Sequence, residues 1–206
     1  MAGTSIVQWA LGIFGSSGIH TFIMHYGYAA VFVLMGLEAA SLPIPSEVVL
    51  PAIGYLAAQG LLNVFLAFAV SLAAGILGMS VDYFVAYYVS KDVVYRHLRF
   101  FRIKKETLDA FDRWFNKNGA FAVFSFRLIP ILRGLISLPA GFARMPLRQF
   151  YFYSILGTVI WDVLLISFGY YALGSSSIST IVILLSVLGV VMYVIYVLTL
   201  RRIRRG

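Results

Sequence analysis

The apolar segments of this sequence are of two kinds, and the difference between them restricts the fold. Three run unbroken for more than 20 residues, long enough for a helix to cross about 30 Å of hydrocarbon: residues 62–89, 149–173 and 178–200. Two others, residues 28–58 and 120–143, are interrupted by prolines. Proline removes a backbone donor, and lipid cannot satisfy the groups that a broken helix exposes. Such breaks must therefore lie inside protein or beside water.

Composition places these segments in a membrane. Of the 206 residues, 61% are hydrophobic and 12% are charged, against roughly 45–50% and roughly 25% in soluble domains. The absence of cysteine excludes a disulfide scaffold and any thiolate-bound metal or cluster. We therefore predict an all-α polytopic protein of the cell (plasma or inner) membrane, with no cofactor and no metal.

The interrupted segments are too short on either side of their breaks to span a bilayer. The first is cut at residues 42–46, LPIPS, which leaves arms of roughly 11–13 residues; the second is cut at Pro130 and again at Pro139. We interpret both as re-entrant helical hairpins. With about three to four transmembrane helices, two opposed hairpins would form an inverted repeat, the usual architecture of secondary transporters.

The basic residues indicate how the chain is oriented. The net charge is +8, yet residues 1–90 contain no lysine or arginine, and 14 of the 16 basic residues lie at 91–117, at Arg144 and Arg148, or at 201–205. Because lysine and arginine resist translocation, these positions are predicted to be cytoplasmic. The anionic cytoplasmic leaflet of the membrane, rather than nucleic acid, is the partner that this basic charge indicates. The side of the N-terminus stays open.

Residues 1–206 are thus predicted to form a single membrane domain. Its parts, in order, are an N-terminal helix (1–24), the first hairpin with its span (25–90), a cytoplasmic basic loop carrying an interfacial amphipathic helix that stops at Asn118-Gly119 (91–118), the second hairpin with its span (119–174), a last span (178–200) and a basic tail (201–206).

Six charges fall within apolar sequence, where each costs roughly 2.5–3.5 kcal/mol if it faces lipid. Glu38 and Glu47 flank the first break, and Arg127 and Arg133 flank the second. If the hairpin tips meet, two carboxylates approach two guanidiniums, whose rigid forks suit phosphate or carboxylate. Two readings stay open: an ion-pair network that holds the tips together, or a ligand site in which the glutamates compete with substrate.

Two further acids, Asp82 and Asp162, lie in the unbroken spans. They either orient a neighbouring hairpin or arginine, which we favour, or carry protons. His20, His25 and His97 have no further ligands nearby in the sequence, which argues against a metal site.

Two motifs carry a family resemblance. The segment EAASLPIPSEVVLP, residues 38–51, resembles the first signature of the DedA family, whose members contain a VTT or SNARE-associated domain. The segment FRLIPILR, residues 126–133, followed by Pro139-Ala140-Gly141, Met145, Phe150 and Trp161, resembles the second. The sequence departs from the family at Val81, where glycine often precedes the aspartate, and at Ser90-Lys91, where Gly-Arg is common.

The resemblance, which runs from about residue 25 to 200, implies a multi-pass protein with two opposed re-entrant hairpins that moves lipids across the bilayer. It implies an acidic pair at Glu38 and Glu47, an arginine pair at Arg127 and Arg133, and dependence on the proton motive force in some members. We expect a non-enzymatic transporter of a polyprenyl phosphate such as undecaprenyl phosphate. The alternatives are a phospholipid flippase or scramblase acting, for example, on phosphatidylethanolamine, a lipid phosphatase and a structural membrane protein. A homo-oligomer is compatible with the sequence.

Overall fold

In a computed structural model, residues 16–88, 105–130 and 132–173 are described, and this part of the chain is built from helices. The predicted last span (178–200), the basic tail and residues 91–104 of the basic loop lie outside the described residues, as do residues 1–15.

The first interrupted segment folds as two short helices around its prolines. Helix α1, Ser16–Tyr26, precedes this segment and is followed by Gly27 in a left-handed conformation (φ 55°). The two helices of the segment are α2, Tyr28–Ala39, and α3, Ser46–Ala58. Pro43 and Pro45 lie in the connection between α2 and α3, so the predicted break is confirmed. At 12 and 13 residues, α2 and α3 are each about 18–20 Å long, too short to cross a bilayer.

The first unbroken span is helix α4, Val64–Tyr88, which has the length and composition of a membrane span. Asn63 precedes it and its side-chain oxygen accepts hydrogen bonds from the backbone N–H groups of Phe65 and Leu66, at 3.0 and 3.1 Å. These bonds satisfy donors that have no partner within the helix, which explains why α4 begins here.

The amphipathic helix is longer than predicted. Helix α5 runs over Lys105–Arg127, so the stop expected at Asn118-Gly119 was wrong. A glycine within a helix costs only about 1 kcal/mol relative to alanine. Of the apolar residues that follow Gly119, Ala122 and Val123 are fully buried, and their packing outweighs that cost.

The second interrupted segment breaks once where expected and once elsewhere. Helix α5 ends at Arg127, and α6, Leu132–Leu135, begins after Pro130. The other interruption in this segment lies at Ile136 rather than at Pro139, because Pro139 is the third residue of α7, Ser137–Phe142. In a first helical turn the backbone N–H has no acceptor, so proline is tolerated there.

The second span is helix α8, Leu147–Phe168, which continues as one π-helical turn, Gly169–Leu173. Residues Leu147–Tyr171 have the length and composition to cross a membrane. Two of the three predicted spans are therefore found within the described residues.

Small residues allow the broken helices to pack backbone against backbone on the two spans. A Cβ added at Gly78 of α4 would overlap the carbonyl oxygen of Gly36 in α2, and one added at Gly54 of α3 would overlap that of Ile166 in α8. Gly141 of α7 lies equally close to Tyr83 of α4. Such close approach is typical of helix packing in membranes, where small residues line the interfaces.

Candidate functional site

The first break, between α2 and α3, and the second break, between α5 and α6, touch one another between the spans. Gly134 of α6 lies against the first break: a Cβ added there would lie 2.9 Å from the carbonyl oxygen of Glu38 and 3.7 Å from the Cα of Ser41. A larger residue at position 134 would push the broken segments apart. The contact brings charged residues from both breaks into one buried cluster.

Arg133 is the centre of this cluster. Its Nε lies 3.0 Å from Oε1 of Glu38, and its Nη2 lies 3.6 Å from Oδ1 of Asp162. Its guanidinium carbon lies 5.6 Å from the centre of the Trp161 ring, within the range of a cation–π contact. The arginine, which is 2% exposed, thereby connects α2 with α8.

Asp162 is fully buried and binds two helices at once. Besides its contact with Arg133, its Oδ2 accepts a hydrogen bond of 2.8 Å from the hydroxyl of Ser71 in α4. This carboxylate therefore holds the arginine in place and joins the two spans.

Arg127, also 2% exposed, holds the second break together. Its Nη1 donates a 2.7 Å hydrogen bond to the backbone carbonyl of Arg133, and its Nη2 donates a 2.7 Å bond to the hydroxyl of Ser137. A break in a helix leaves carbonyl groups without partners, and this guanidinium supplies one. Both partners are uncharged, so Arg127 differs from Arg133, which faces carboxylates.

Asp82 binds the first break through Ser41. The hydroxyl of Ser41 donates to Oδ2 of Asp82 and also lies 3.2 Å from the carbonyl oxygen of Gly134. Ser41 has a φ of 61°, a left-handed conformation that a residue with a Cβ rarely adopts. This one residue thus connects the first break, α4 and the second break.

The structure does not bring Glu47 to the arginines. Glu47 is exposed and faces a cavity of about 370 Å³ beside the first break, together with Glu38, Ser41 and Ser46. Neither Arg127 nor Arg133 lines this cavity. Of the four charges that flank the breaks, Glu38 and Arg133 form a pair, Arg127 holds the backbone, and Glu47 stands apart.

Several polar atoms of the cluster have no hydrogen-bond partner among the described residues. They include Oε2 of Glu38, Nε of Arg127 and Nη1 of Arg133, and all are buried. A buried polar group without a partner costs about 1–3 kcal/mol, and more when it is charged. The cluster therefore has capacity for further hydrogen bonds, to water or to a ligand.

Sequence reasoning missed the neutral members of this network: Ser41, Ser71, Ser137 and Trp161. Hydroxyl groups inside apolar helices are common, and most of them bond to their own backbone. Ser41 lies within the first motif, Trp161 belongs to the second, and Ser137 lies between Pro130 and Pro139; these positions are the signals that the sequence offers.

Residues 44–171 match the VTT domain. They include α3, α4 and both helices that flank the second break. The chain belongs to the VTT-domain family, also called the DedA family. The resemblance carried by the two motifs is thereby confirmed, and the chain is a membrane protein like other members of the VTT-domain family.

Relatives of the chain include undecaprenyl phosphate transporters and alkaline phosphatase-like proteins. The chain is 36% identical to undecaprenyl phosphate transporter A of Staphylococcus aureus, over 73% of this chain and 76% of that one. It is 33% identical to undecaprenyl phosphate transporter A of Bacillus subtilis, over 74% and 75%. An alkaline phosphatase-like protein of Lactococcus lactis is 34% identical over 70% of both chains. No solved structure matches the chain.

Proposed function

We propose that this protein moves a phosphate-bearing carrier lipid, undecaprenyl phosphate or a close relative, across the membrane. The names of the relatives from S. aureus and B. subtilis support this class of substrate. The observation that carries the proposal is the buried ion pair of Arg133 and Glu38, formed where two broken helices meet between the spans. Because a charged pair in this position is costly, it is expected to serve a ligand, an ion or the fold itself.

In the proposed mechanism the lipid phosphate replaces Glu38 as the partner of Arg133. Nη1 of Arg133 and Nε of Arg127 supply the hydrogen bonds that are unused within the protein. A guanidinium binds phosphate through two parallel N–H donors, which lysine cannot do. Glu38 regains Arg133 when the phosphate leaves, so the site returns to a paired state.

The remaining acids are assigned supporting roles. Asp162 keeps Arg133 oriented, and Asp82 keeps the first break folded through Ser41. Glu47 lies at the open cavity. It receives or releases the proton or cation that neutralises Glu38 while the phosphate occupies Arg133. Three carboxyl groups, Glu38, Asp82 and Asp162, and two guanidiniums are buried, so uptake of one proton would balance the buried charges. This imbalance supports coupling to the proton motive force.

The packing of the helices supports an inverted repeat of re-entrant hairpins. Such a repeat would let two similar halves exchange roles, so that the site opens to one side of the membrane at a time. The first arm of each hairpin packs on the span that follows it, α2 against Gly78 of α4 and α5 against Gly157 of α8. The second arm of each packs on the other span, α3 through Gly54 and α7 through Gly141. With the basic loop and C-terminus cytoplasmic, the hairpins enter from opposite leaflets.

The decisive test is transport in proteoliposomes. Labelled undecaprenyl phosphate should cross faster with the protein than without it, and a pH gradient should alter the rate. The Arg133→Lys variant should lose most of the activity, because lysine cannot bind phosphate through two parallel bonds. Transport by Arg133→Ala at the wild-type rate would remove the proposed site.

A second candidate is a phospholipid scramblase acting on phosphatidylethanolamine. One observation favours it: the cavity at the first break is lined by two carboxylates and no arginine, which suits an ammonium headgroup. Competition between unlabelled phosphatidylethanolamine and labelled undecaprenyl phosphate in the same vesicles separates the two substrates.

The name of the L. lactis relative raises the alternative of phosphate hydrolysis. Among the described residues, no group of three or more His, Cys, Asp or Glu side chains could hold a metal. His20 and His25 lie in α1, against the rings of Tyr55 and Tyr26, and neither arginine is among their ring contacts. We therefore propose transport without hydrolysis, and release of phosphate from a labelled lipid would contradict it.

A further inference from the structure

A second cavity lies outside the buried cluster, between the middle of α5 and the turn that joins α7 to α8. It has a volume of about 570 Å³, which is in the range of small-molecule sites. Lys117, Arg144 and Gln149 line it and are exposed, while Phe121 and Phe124 form apolar wall. Lys117 precedes Arg127 by ten residues of α5, so the two are about 15 Å apart along the helix axis.

The backbone of Arg144 is unusual for an arginine. Helix α7 ends in a Schellman motif, in which the N–H of Met145 bonds to the carbonyl of Ala140 and the N–H of Arg144 to that of Gly141. Arg144 takes the left-handed position of this motif, with a φ of 50°. Glycine is favoured there because a Cβ costs about 1 kcal/mol or more. The backbone alone therefore does not favour an arginine here.

The guanidinium of Arg144 is oriented but not neutralised. Its carbon lies 5.1 Å from the centre of the Tyr87 ring in α4, within the range of a cation–π contact, and the side chain is exposed. No ion pair links Arg144 or Lys117 to an acid within the described ranges. Two cations without a carboxylate partner thus line a cavity whose wall also contains the aromatic rings of Phe121 and Phe124.

We propose that this cavity binds the phosphate headgroup of a membrane lipid, with Arg144 and Lys117 on the phosphate and the lipid chain along Phe121 and Phe124. This site is separate from the pair formed by Arg133 and Glu38, and its existence does not depend on transport. The phosphate belongs either to a bilayer phospholipid or to a polyprenyl phosphate, because both present the same group. Residue 144 is then an arginine because the ligand needs its charge.

The test measures binding by the full-length protein in detergent, with dioctanoyl phosphatidic acid, farnesyl phosphate, dioctanoyl phosphatidylcholine and inorganic phosphate as probes. Native mass spectrometry or calorimetry gives the affinities. At least one anionic lipid should bind more tightly than phosphatidylcholine and inorganic phosphate, and added salt should weaken it. Preference for one anionic lipid identifies the source of the phosphate, and equal binding means that the site recognises the phosphate alone.

The Arg144→Gly variant gives the sharpest contrast. Glycine suits the left-handed position, so the melting temperature should stay level or rise while lipid affinity falls roughly tenfold. Lys117→Gln should also weaken binding, and Ala143→Phe, which fills the cavity without changing charge, should do the same. Arg148→Gln is the matched control, since Arg148 is exposed in the same region but does not line the cavity.

Three results would overturn the proposal: phosphatidylcholine binding as tightly as both anionic lipids, unchanged affinity in Arg144→Gly, or an equal loss in Arg148→Gln. The last would mean that only diffuse surface charge attracts the lipid. If Lys117→Gln or Ala143→Phe fails to fold, Arg144→Gly and its control decide the question.

Discussion

Arg133 and Glu38 lie 95 positions apart in the sequence, yet their side chains form a 3.0 Å ion pair that joins the two broken segments. Both residues are almost completely buried. Two charges removed from water are stable only when each satisfies the other, so the fold depends on both members of this pair.

Removing one member of this pair should destabilise the protein strongly. Arg133→Gln leaves Glu38 buried without a partner, and we expect a loss of about 3–5 kcal/mol in the free energy of unfolding. The double variant Glu38→Gln/Arg133→Gln removes the unpaired charge at position 38 but leaves the buried Asp162 without its arginine, so it should recover part of this loss but not transport. Chemical denaturation in detergent, alongside the vesicle assay, measures both. A double variant that transports normally would show that the pair serves the fold alone.

Arg127 should respond differently from Arg133, because it bonds to neutral groups. Arg127→Lys keeps the charge but cannot reach both the Arg133 carbonyl and the Ser137 hydroxyl with the same fork. We expect lower stability and reduced transport. The milder variant Ser137→Ala removes one of the two bonds and should cost about 1.5–3 kcal/mol. Wild-type stability in Ser137→Ala would argue against the backbone-holding role of Arg127.

The contact of α2 with α4 provides a matched pair of glycine variants. At Gly78 a Cβ would overlap the carbonyl oxygen of Gly36, so Gly78→Ala should destabilise by about 1–3 kcal/mol. At Gly36 a Cβ would meet its nearest atom at 3.7 Å, so Gly36→Ala should be neutral or slightly stabilising. Thermal unfolding of the two variants tests this packing directly. Equal effects would mean that the helices do not approach as closely as described.

Ser41 combines a hydrogen bond with a strained backbone, and two substitutions separate these features. Both Ser41→Ala and Ser41→Gly remove the hydroxyl that binds Asp82. Glycine also relieves the left-handed φ of 61°, so Ser41→Gly should be the more stable of the two by about 1 kcal/mol. Their melting temperatures in the same detergent give the difference, and the reverse order would contradict the assigned conformation.

Glu47 should affect transport without affecting the fold. It is exposed at the open cavity, so Glu47→Gln should change the free energy of unfolding by no more than about 0.5 kcal/mol. Glu38→Gln serves as the comparison, because it breaks the buried pair. We expect the dependence of transport on a pH gradient to weaken in Glu47→Gln, and an unchanged dependence would exclude Glu47 from coupling.

Some features of the fold follow from local sequence. The break at Pro43 and Pro45 is local, because these two prolines, two residues apart, remove backbone donors that a continuing helix needs. The spans α4 and α8 follow from the length of their apolar runs. The end of α5 could not be predicted in the same way, because the apparent stop at Asn118-Gly119 is overridden by tertiary packing of the residues beyond it.

By itself, the sequence determined that this is a membrane protein of helices, that two of its apolar segments are broken, and which charged residues lie beside the breaks. The length of an apolar segment, a proline and a charge are each visible in a continuous stretch of sequence, so they can be read without the structure. Only the tertiary structure decided that Arg133 pairs with Glu38 and Asp162, that Arg127 holds backbone, and that Glu47 stands apart. These partners come from distant segments, and a few ångströms in the packing of helices determine which of them can meet.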